Sequence, residues 1–428
     1  MNFQRYEKYK SSDIDWLGEI PEGWEAKRIA SIYYEAYESG NDQLPFLSVS
    51  IHSGVSDKEL DEEDLNRKVN RTEDAKKNKY VMPNDLVYNM MRAWQGGFGT
   101  VLVDGMISSA YVVARPINKV NSRFIEFLLR TPNAIIELWR NSKGIVDFRL
   151  RLYWNEFKNI HICLPNPKDQ SIITAYLDQK ITLIDQKIEL LKAKKQKYLE
   201  LKKTLISETV TRGLDKNVEM KDSCIEWIGK IPKHWEVKRL KDEFDLLSSG
   251  ISYFQGNKEY LSTASIGINE IILTEEVITF SKRPSRANMQ PKINTAWFAK
   301  MKATNKSYIF FNKEECSKYV LSTGFCAFDV NKSHIHFVKY YIISGYFIFE
   351  KDIHSYGTTQ FSINDTNIGQ LNFVKPPKSE QIAIANYLDE KTSKIDKITQ
   401  TIDKNILALQ EFRKTLINDM VTGKVKII

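Results

Sequence analysis

The sequence predicts a mixed α/β protein built as a tandem repeat, in which two globular segments are each followed by a long helix. One helical pattern occurs twice, at residues 169–211 and 379–422. The segments before these helices begin with the same motif. Matched positions in both features differ by 211, as Tyr176 and Tyr387 do, so neither helix copy contains an insertion or deletion. The conserved length makes the helix itself a candidate functional feature.

Apolar side chains in both helical copies follow the seven-residue period of a coiled coil. Lys195 and Lys202 interrupt the seam of the first copy, and Arg413 interrupts that of the second. Antiparallel pairing of the two copies would set the polar interruptions of one helix against apolar positions of the other. About 43 residues at about 1.5 Å each give a rod of roughly 65 Å. The predicted seam consists of Leu177, Ile181, Ile184, Ile188, Leu191, Tyr198, Leu205, Leu388, Ile395, Ile402, Ile406, Leu409 and Leu416.

Both helices have start and stop signals. Asp169 and Ser379 follow proline-rich runs and are predicted N-caps. Gly213 and Gly423 follow the last periodic turn, where a glycine commonly ends a helix. The alternative is that the two are ordinary surface helices of globular domains, but their shared length, register and duplication favour the coiled coil.

The repeat also includes the start of each globular segment. Residues 15–29, which contain Trp-Leu-Gly-Glu-Ile-Pro-Glu-Gly-Trp, return as residues 226–240. The middles of the two segments diverge strongly, and this combination suggests two readers of one kind with different targets. The predicted boundaries are 1–165 for the first globular domain, 166–214 for the first helix, 215–376 for the second domain and 377–428 for the second helix.

Three short matches show that the divergent middles share a scaffold. Residues 87–92 resemble 297–302, residues 108–113 resemble 322–327, and residues 144–150 resemble 357–363. The offset drifts from 210 (residue 92 to 302) to 214 (residue 108 to 322), so loops have been resized. Short strands alternate with helical stretches, which predicts a mixed α/β fold for each half.

Composition narrows the class of protein. The net charge of +8, from 62 basic and 54 acidic residues, modestly favours a polyanionic partner. The chain begins without a visible leader, and its four scattered cysteines fit a reducing cytoplasm.

Neither a metal site nor a catalytic site is expected. No Cys-x-x-Cys pair occurs in the group Cys316, Cys326, His334 and His336, so we expect no metal to bind there. Both histidines are expected on one face of a strand and in a structural role. We expect no catalysis, because neither a GxGxxG loop nor an Asn-Pro-Pro-Tyr motif occurs.

The duplicated motif, residues 84–99 with the following Ser-Ser-Ala-Tyr run, and the Pro-Lys-Asp-Gln and Pro-Lys-Ser-Glu-Gln helix starts together resemble the DNA specificity subunits of type I restriction-modification systems. The resemblance covers essentially the whole chain. It implies two target recognition domains joined by an antiparallel coiled coil with pseudo-twofold symmetry. Each domain would read half of a bipartite site in double-stranded DNA, and the helices would set the spacer.

The resemblance also implies partners. Two methyltransferase subunits would dock on this chain to methylate adenine N6, and two restriction subunits would join in the full complex. No cofactor is expected on this chain, because S-adenosylmethionine, ATP and magnesium belong to the partner subunits. A bacterial or archaeal cytoplasmic location without a membrane partner is implied.

Candidate DNA contacts lie in both halves. The first candidates for DNA contact are Arg92, Trp94 and Gln95, because an arginine can pair with guanine and a glutamine with adenine in the major groove. The alternative is that Trp94 packs under the glycine-rich turn and Arg92 meets only phosphate. Arg149 and Arg151 are candidates for contact with the DNA backbone, and the alternative is that they lie on a solvated strand edge. The remaining candidates are Arg283, Arg286, Asn288, Lys302, Asn305 and Lys306.

Two other functional classes stay open. A standalone DNA-modifying enzyme would need a cofactor loop or a metal-carboxylate set. The other class is a coiled-coil scaffold with two protein-binding heads. Strong salt dependence of DNA binding would count against it, because phosphate contacts release counterions.

Overall fold

The computed structural model describes residues 3–50, 54–58, 75–144, 150–274, 276–357 and 361–427. The chain divides into two compact units, and the division falls within both long helices. Unit 1 consists of Met1–Leu190 with Lys404–Ile428, and unit 2 consists of Leu191–Asp403. None of the helices in the described ranges is long and apolar enough to cross a membrane.

The first half contains thirteen described strands, three short α-helices and the first long helix. The strands are β1 Phe3–Gln4, β2 Tyr9–Ser11, β3 Glu19–Pro21, β4 Glu25–Arg28, β5 Tyr33–Glu35, β6 Val49–Ser50, β7 Gly54–Val55, β8 Lys79–Val81, β9 Leu86–Asn89, β10 Phe98–Thr100, β11 Gly105–Ile107, β12 Tyr111–Pro116 and β13 His161–Leu164. The helices are α1 Ser122–Leu129, α2 Pro132–Arg140, α3 Trp154–Phe157 and the long α4 Pro167–Arg212.

The second half has a similar inventory over its described residues. Its strands are β14 Met220–Asp222, β15 Lys230–Pro232, β16 Glu236–Arg239, β17 Asp245–Leu246, β18 Lys258–Leu261, β19 Glu276–Ile278, β20 Ala287–Met289, β21 Thr295–Ala299, β22 Ser307–Phe310, β23 Tyr319–Ser322, β24 Phe325–Asp329, β25 Asn372–Lys375 and β26 Lys426–Ile427. Its helices are α5 Leu240–Glu243, α6 Lys313–Lys318, α7 Ile335–Ile342, α8 Gly345–Ile353, α9 Asp365–Gln370 and the long α10 Lys378–Val421.

The central sheet has the same strand order in both units. In unit 1 the order is β10-β9-β12-β5, and in unit 2 it is β22-β21-β24-β17, with antiparallel pairing throughout. Val87 faces Val113 in the first sheet, and Trp297 faces Ala327 in the second. These are the pairs that the matched stretches of sequence require, so both middles share one scaffold.

Unit 2 has a further four-stranded sheet, β19-β18-β23-β20, in which β18 and β23 are parallel. Its apolar face buries Ile251, Tyr260 and Val320. A parallel pair needs a long crossover connection, here residues 262–318. The short-range sequence patterns did not reveal this sheet, because its pairing is non-local.

The long helices begin earlier than the sequence signals indicated. Helix α4 starts at Pro167, and the Asn166 side chain accepts a hydrogen bond from the Asp169 amide at 2.9 Å. Asp169 therefore lies in the first turn, and Asn166 acts as the cap. Helix α10 starts at Lys378, so the predicted N-cap Ser379 is also inside its helix. Proline is well tolerated in a first turn, because its missing N–H would have no helical partner there.

The predicted helix stops are confirmed. Gly213 and Gly423 adopt left-handed backbone conformations with φ of +77° and +75°. A Cβ on Gly423 would lie 2.4 Å from the Pro21 ring, so a side chain at this position would collide with the start of the first domain. The glycine therefore serves both the end of the helix and the close approach to the domain.

Each globular core is completed by the start of one long helix and the end of the other. In unit 1, Leu177 of α4 and Met420 of α10 belong to the core cluster that contains Trp24. In unit 2, Leu388 of α10 and Val210 of α4 join the cluster that contains Trp235. All predicted seam residues are buried or half-buried, while most positions between them are exposed.

The polar seam residues are paired with aspartates that directly follow apolar seam positions of the other helix. In unit 2, the Lys195 and Lys202 ammonium groups bind Asp403 and Asp396 at 2.7 and 2.6 Å. In unit 1, Arg413 binds Asp185 at 2.6 Å. The aspartates follow seam residues directly, so they reach across the helix pair and compensate the charges. The two contacts of unit 2 make its helices antiparallel. In unit 1, the Arg413–Asp185 contact and the shared core of Leu177 and Met420 give the same direction, whereas the pseudo-twofold symmetry remains a prediction.

Candidate nucleic-acid interface

In unit 1, a tightly closed loop connects β9 to β10 and presents the first candidate side chains. Residues 93–95 form a short 3₁₀-helix, and Gly96 follows with a φ of +83°. The Gly97 amide donates to the Arg92 carbonyl at 3.0 Å, and a Cβ on Gly97 would lie 2.8 Å from that oxygen. The Gly-Gly sequence therefore permits a turn that other residues could not form without strain.

Arg92 and Gln95 are brought together at this turn. One Arg92 Nη donates to the Gln95 amide oxygen at 3.0 Å, and Arg92 is exposed. Arginine carries several N–H donors, so this contact leaves others for a ligand. Trp94 is half-buried, and its indole N–H donates to the Met91 carbonyl at 3.0 Å. The tryptophan thus braces the turn, as the structural alternative for this residue supposed.

A second segment lies beside the loop. The Leu152 amide donates to the Met90 carbonyl at 2.9 Å, and Arg151 forms a two-bond backbone bridge with Lys143. Arg151 is exposed. Two exposed arginines therefore lie on segments that contact each other through their backbones, and exposed guanidinium groups suit a phosphate backbone or a base edge. Arg149 lies outside the described residues.

Unit 2 repeats this arrangement with different side chains. The Ile363 amide donates to the Lys300 carbonyl at 3.0 Å, and the Lys302 amide donates to the Phe361 carbonyl at 2.9 Å. Lys302 is exposed, with its ammonium 5.3 Å from the centre of the Phe361 ring, which is 47% exposed. A cation next to an accessible aromatic ring replaces the arginine–glutamine pair of unit 1.

The neighbouring candidates in unit 2 differ in their surroundings. The Lys306 ammonium donates to the Thr263 carbonyl at 2.6 Å and thereby holds a loop. Asn305 is half-buried. Lys306 is thus engaged in the fold, and Lys302 is the more accessible cation of the two.

The other three candidates of unit 2 lie around an aromatic cluster. The Arg283 guanidinium stacks 4.1 Å from the Phe280 ring centre and donates to the Phe280 carbonyl at 2.6 Å. Asn288 accepts the Ile251 amide through its side chain at 3.3 Å, so it braces a loop. Arg286 is exposed.

Sequence reasoning missed Tyr253, which is 77% exposed. Its ring makes an edge contact with Phe280 at 5.2 Å, and Phe254 contacts the same ring at 5.6 Å. Burial lowers the pKa of Lys258, whose ammonium lies 5.0 Å from the Phe254 ring centre. An aromatic pair between Gly250 and Gly256 was the signal that could have revealed this surface. Aromatic rings beside cations are suited to stacking on nucleic-acid bases.

The histidine pair is not on a strand face, as the sequence suggested. His334 precedes α7 and His336 lies within it, with their rings stacked 5.6 Å apart. His336 Nδ1 is 3.7 Å from an Asp389 carboxylate oxygen. Within the described ranges, no three His, Cys, Asp or Glu residues are grouped as a metal would require.

Both long helices carry exposed apolar side chains between their seam positions. In unit 1, Leu183, Leu190 and Phe412 are exposed by 52%, 72% and 50%. In unit 2, Leu199, Leu201 and Ile398 are exposed as well. These accessible apolar side chains make the surface of the long helices a candidate for protein docking.

Comparison with known proteins adds whole-length relatives. No family model matches the chain. The sequence is 23% identical over 458 residues to the type I restriction enzyme MjaVIII specificity subunit of Methanocaldococcus jannaschii, covering 100% of this chain and 98% of the relative. It is 22% identical to a putative type I restriction enzyme MjaX specificity subunit of the same organism, with 100% and 99% coverage.

Solved structures show the same fold. A chain from a structure of the complex assembly and conformational transition of the type I R-M system superposes with a TM-score of 0.71 at 15% identity, covering 94% of this chain and 98% of that one. The HsdS subunit from Thermoanaerobacter tengcongensis superposes with a TM-score of 0.59 at 16% identity, with 95% and 98% coverage.

Proposed function

We infer that this chain, which belongs to the specificity subunits of type I restriction-modification systems, selects a bipartite DNA sequence through its two globular domains. The observation that carries this proposal is the doubled loop surface. The same sheet order holds the Arg92–Gln95 pair in one unit and Lys302 beside Phe361 in the other. A shared scaffold with different polar and aromatic groups is what two readers of different half-sites require.

The helix pair is proposed to set the spacer between the half-sites and to dock the partner subunits. Its exposed apolar residues, among them Leu190 and Phe412, offer a surface for helices of a methyltransferase subunit. Each half of the repeat would bind one methyltransferase subunit, and restriction subunits would join the full complex. We propose that this chain performs no catalysis and that S-adenosylmethionine, ATP and magnesium bind to its partners.

The experiment that tests this function uses a bacterial host without DNA methylation. The chain is co-expressed with its cognate methyltransferase subunit, and N6-methyladenine is mapped by long-read sequencing. We expect a bipartite motif that disappears when the chain is omitted. Methylation that persists unchanged without the chain would reject the proposal and favour a scaffold with protein-binding heads. Methylation by the chain expressed alone would favour the standalone enzyme.

Arg92→Ala is expected to weaken binding to the cognate site by about tenfold to a hundredfold, because a good arginine–base contact contributes about 1–3 kcal/mol. Binding of the assembled complex to cognate and unrelated duplexes is measured by fluorescence anisotropy at fixed salt. Arg140→Ala, an exposed arginine paired only weakly with Glu137 at 3.7 Å, is the matched control. An equal loss on both duplexes would assign Arg92 to phosphate instead of a base.

Tyr253→Ala is expected to lower affinity for the second half-site by about fivefold or more, since stacking on a base contributes roughly 1–3 kcal/mol. Tyr253→Phe keeps the ring and is expected to bind almost as the unaltered chain does. The same anisotropy titration measures both variants. Equal weakening by the two variants would indicate a role for the hydroxyl group and contradict stacking.

Inserting four residues near Lys195 is expected to lengthen the spacer of the methylated motif, because it adds about 6 Å to the rod. The measurement is the spacer length in the methylation map. The same insertion in the loop between α4 and β14, after Gly213, leaves both helices intact and is the control. An unchanged spacer in the helix variant would contradict the ruler role.

A further inference from the structure

Heptad-spaced aspartates run along both long helices, each directly after a seam residue. Helix α4 carries Asp178 and Asp185, and α10 carries Asp389, Asp396 and Asp403. The cations that oppose them occupy seam positions themselves, where an apolar residue would pack better. Charged groups at such positions cost stability, and their best-attested use is to specify the register of a coiled coil.

The three inner aspartates are paired across the helices. The Lys195 ammonium binds both oxygens of Asp403 at 2.7 and 2.8 Å, and the Lys202 ammonium binds both oxygens of Asp396 at 2.6 and 2.7 Å. A step of seven residues forward on α4 is thus matched by seven residues backward on α10. Arg413 and Asp185 make the equivalent contact in unit 1.

This pattern alone does not define a unique register. If α10 slid by one heptad, Lys195 would oppose Asp396 and Lys202 would oppose Asp389. Arg413 would likewise oppose Asp178 in place of Asp185. Every cation would again meet an aspartate, so the ion pairs need a further element to exclude the shifted arrangement.

The outer aspartates are withheld from the helix pair by the globular domains. Arg123 of α1 donates through two nitrogens to Asp178, at 3.1 and 2.9 Å. Asp389 is the repeat equivalent of Asp178, and it accepts from the Tyr340 hydroxyl at 2.6 Å and from Lys339 at 3.2 Å. Both domains therefore occupy the one aspartate in each half that a shifted register would use.

We propose that Lys195, Lys202 and Arg413, with their inner aspartates, fix the register of the helix pair, and that Arg123 and the Lys339–Tyr340 pair exclude the register shifted by one heptad. The residues thereby determine the spacer of the recognised DNA sequence. This last step rests on the proposed function, whereas the register itself is measurable without DNA.

Disulfide cross-linking within unit 2 reports the register. The ion pairs place Tyr198 and Thr399 in the same expected layer of the helix pair, and a one-heptad shift would bring Thr392 there instead. The chain carries Cys224→Ser, because Cys224 is the exposed cysteine among the four, which are all free. Tyr198→Cys is combined with Thr399→Cys for the native register, or with Thr392→Cys for the shifted one. We expect cross-linking in the first pair only.

Charge reversal tests the inner pairs. Lys195→Glu with Lys202→Glu turns two attractions into two repulsions and is expected to slow native cross-linking by about tenfold. Adding Asp396→Lys and Asp403→Lys is expected to restore it. Lys194→Glu with Lys203→Glu, at two exposed positions of the same helix, is the matched control. An unchanged rate after reversal, or no recovery on swapping, would overturn the proposal.

Freeing the outer aspartate tests the exclusion. Lys339→Met with Tyr340→Phe removes the two shortest contacts of Asp389 and leaves His336 at 3.7 Å. The double variant is expected to raise the rate of shifted cross-linking at least about threefold above its background; no rise would remove this step from the proposal. The charge-swapped chain is then expected to methylate a motif with an unaltered spacer. A native cross-link with an altered spacer would leave the register intact and instead refute the ruler role of the helices.

Discussion

Arg115→Met is expected to lower the free energy of unfolding of unit 1 by about 3–5 kcal/mol, the usual consequence of removing one partner of a buried ion pair. Arg115 donates through Nε and Nη2 to the two oxygens of Asp85, both at 2.9 Å, and its Nη1 binds Glu38 at 2.7 Å. The Asp85 side chain is completely buried. Without the guanidinium, a buried carboxylate would lose the charge that compensates it.

The contact geometry explains the size of this effect. Asp85 also accepts the Met82 amide at 3.0 Å, so its second oxygen is held by the turn before β9. Hydrogen bonding to Asp85 and Glu38 raises the pKa of Arg115 in spite of its burial. The pair therefore joins β12 to the start of β9, the strand that leads to the Arg92 loop.

Equilibrium denaturation followed by tryptophan fluorescence measures the change. Arg140→Met, at an exposed arginine whose nearest carboxylate oxygen on Glu137 is 3.7 Å away, is the matched control and is expected to cost less than about 0.5 kcal/mol. Combining Arg115→Met with Asp85→Asn is expected to recover part of the loss, because the uncompensated charge is removed. An effect of Arg115→Met no larger than that of the control would show that the pair is not a structural requirement.

Sequence patterns predicted the parts of this fold that depend on local periodicity. The long helices, their glycine stops and the shared strands β9 and β21 follow from heptads, turn residues and alternating apolar positions. The repeat strengthened each assignment, since a pattern seen in one half could be checked in the other. Superposition on two solved structures confirms the predicted fold class.

Contacts between distant residues could not be predicted in the same way. Arg115 and Asp85 are thirty positions apart, and nothing in either local pattern links them. The lysines on the seam were recognised from the sequence, but their partners depend on the helix register. Periodicity alone does not distinguish one register from another that is shifted by seven residues. At the candidate interface, Arg92 and Gln95 were predicted as separate DNA contacts, whereas their mutual hydrogen bond depends on the turn that Gly96 and Gly97 allow.

Replacing residues 1–165 by those of a relative is expected to change one half of the methylated motif completely and to leave the other half unaltered. The physical reason is that each unit has its own core. Among the residues that the structure describes, the cluster around Trp24 includes none from the second globular domain, and the cluster around Trp235 includes none from the first. Exchange of one globular domain therefore leaves the hydrophobic core of the other domain intact.

The exchange must respect the helix ends that complete the first core. Leu416, Met420 and Val421 of α10 pack into it, so the incoming domain needs the opening motif with its counterpart of Trp24. The reciprocal exchange of residues 215–376 is the control and is expected to alter the opposite half-site. Long-read mapping of N6-methyladenine reads out both chains. A change in both half-sites after either exchange would contradict independent readers, because it would mean that one domain influences the bases chosen by the other.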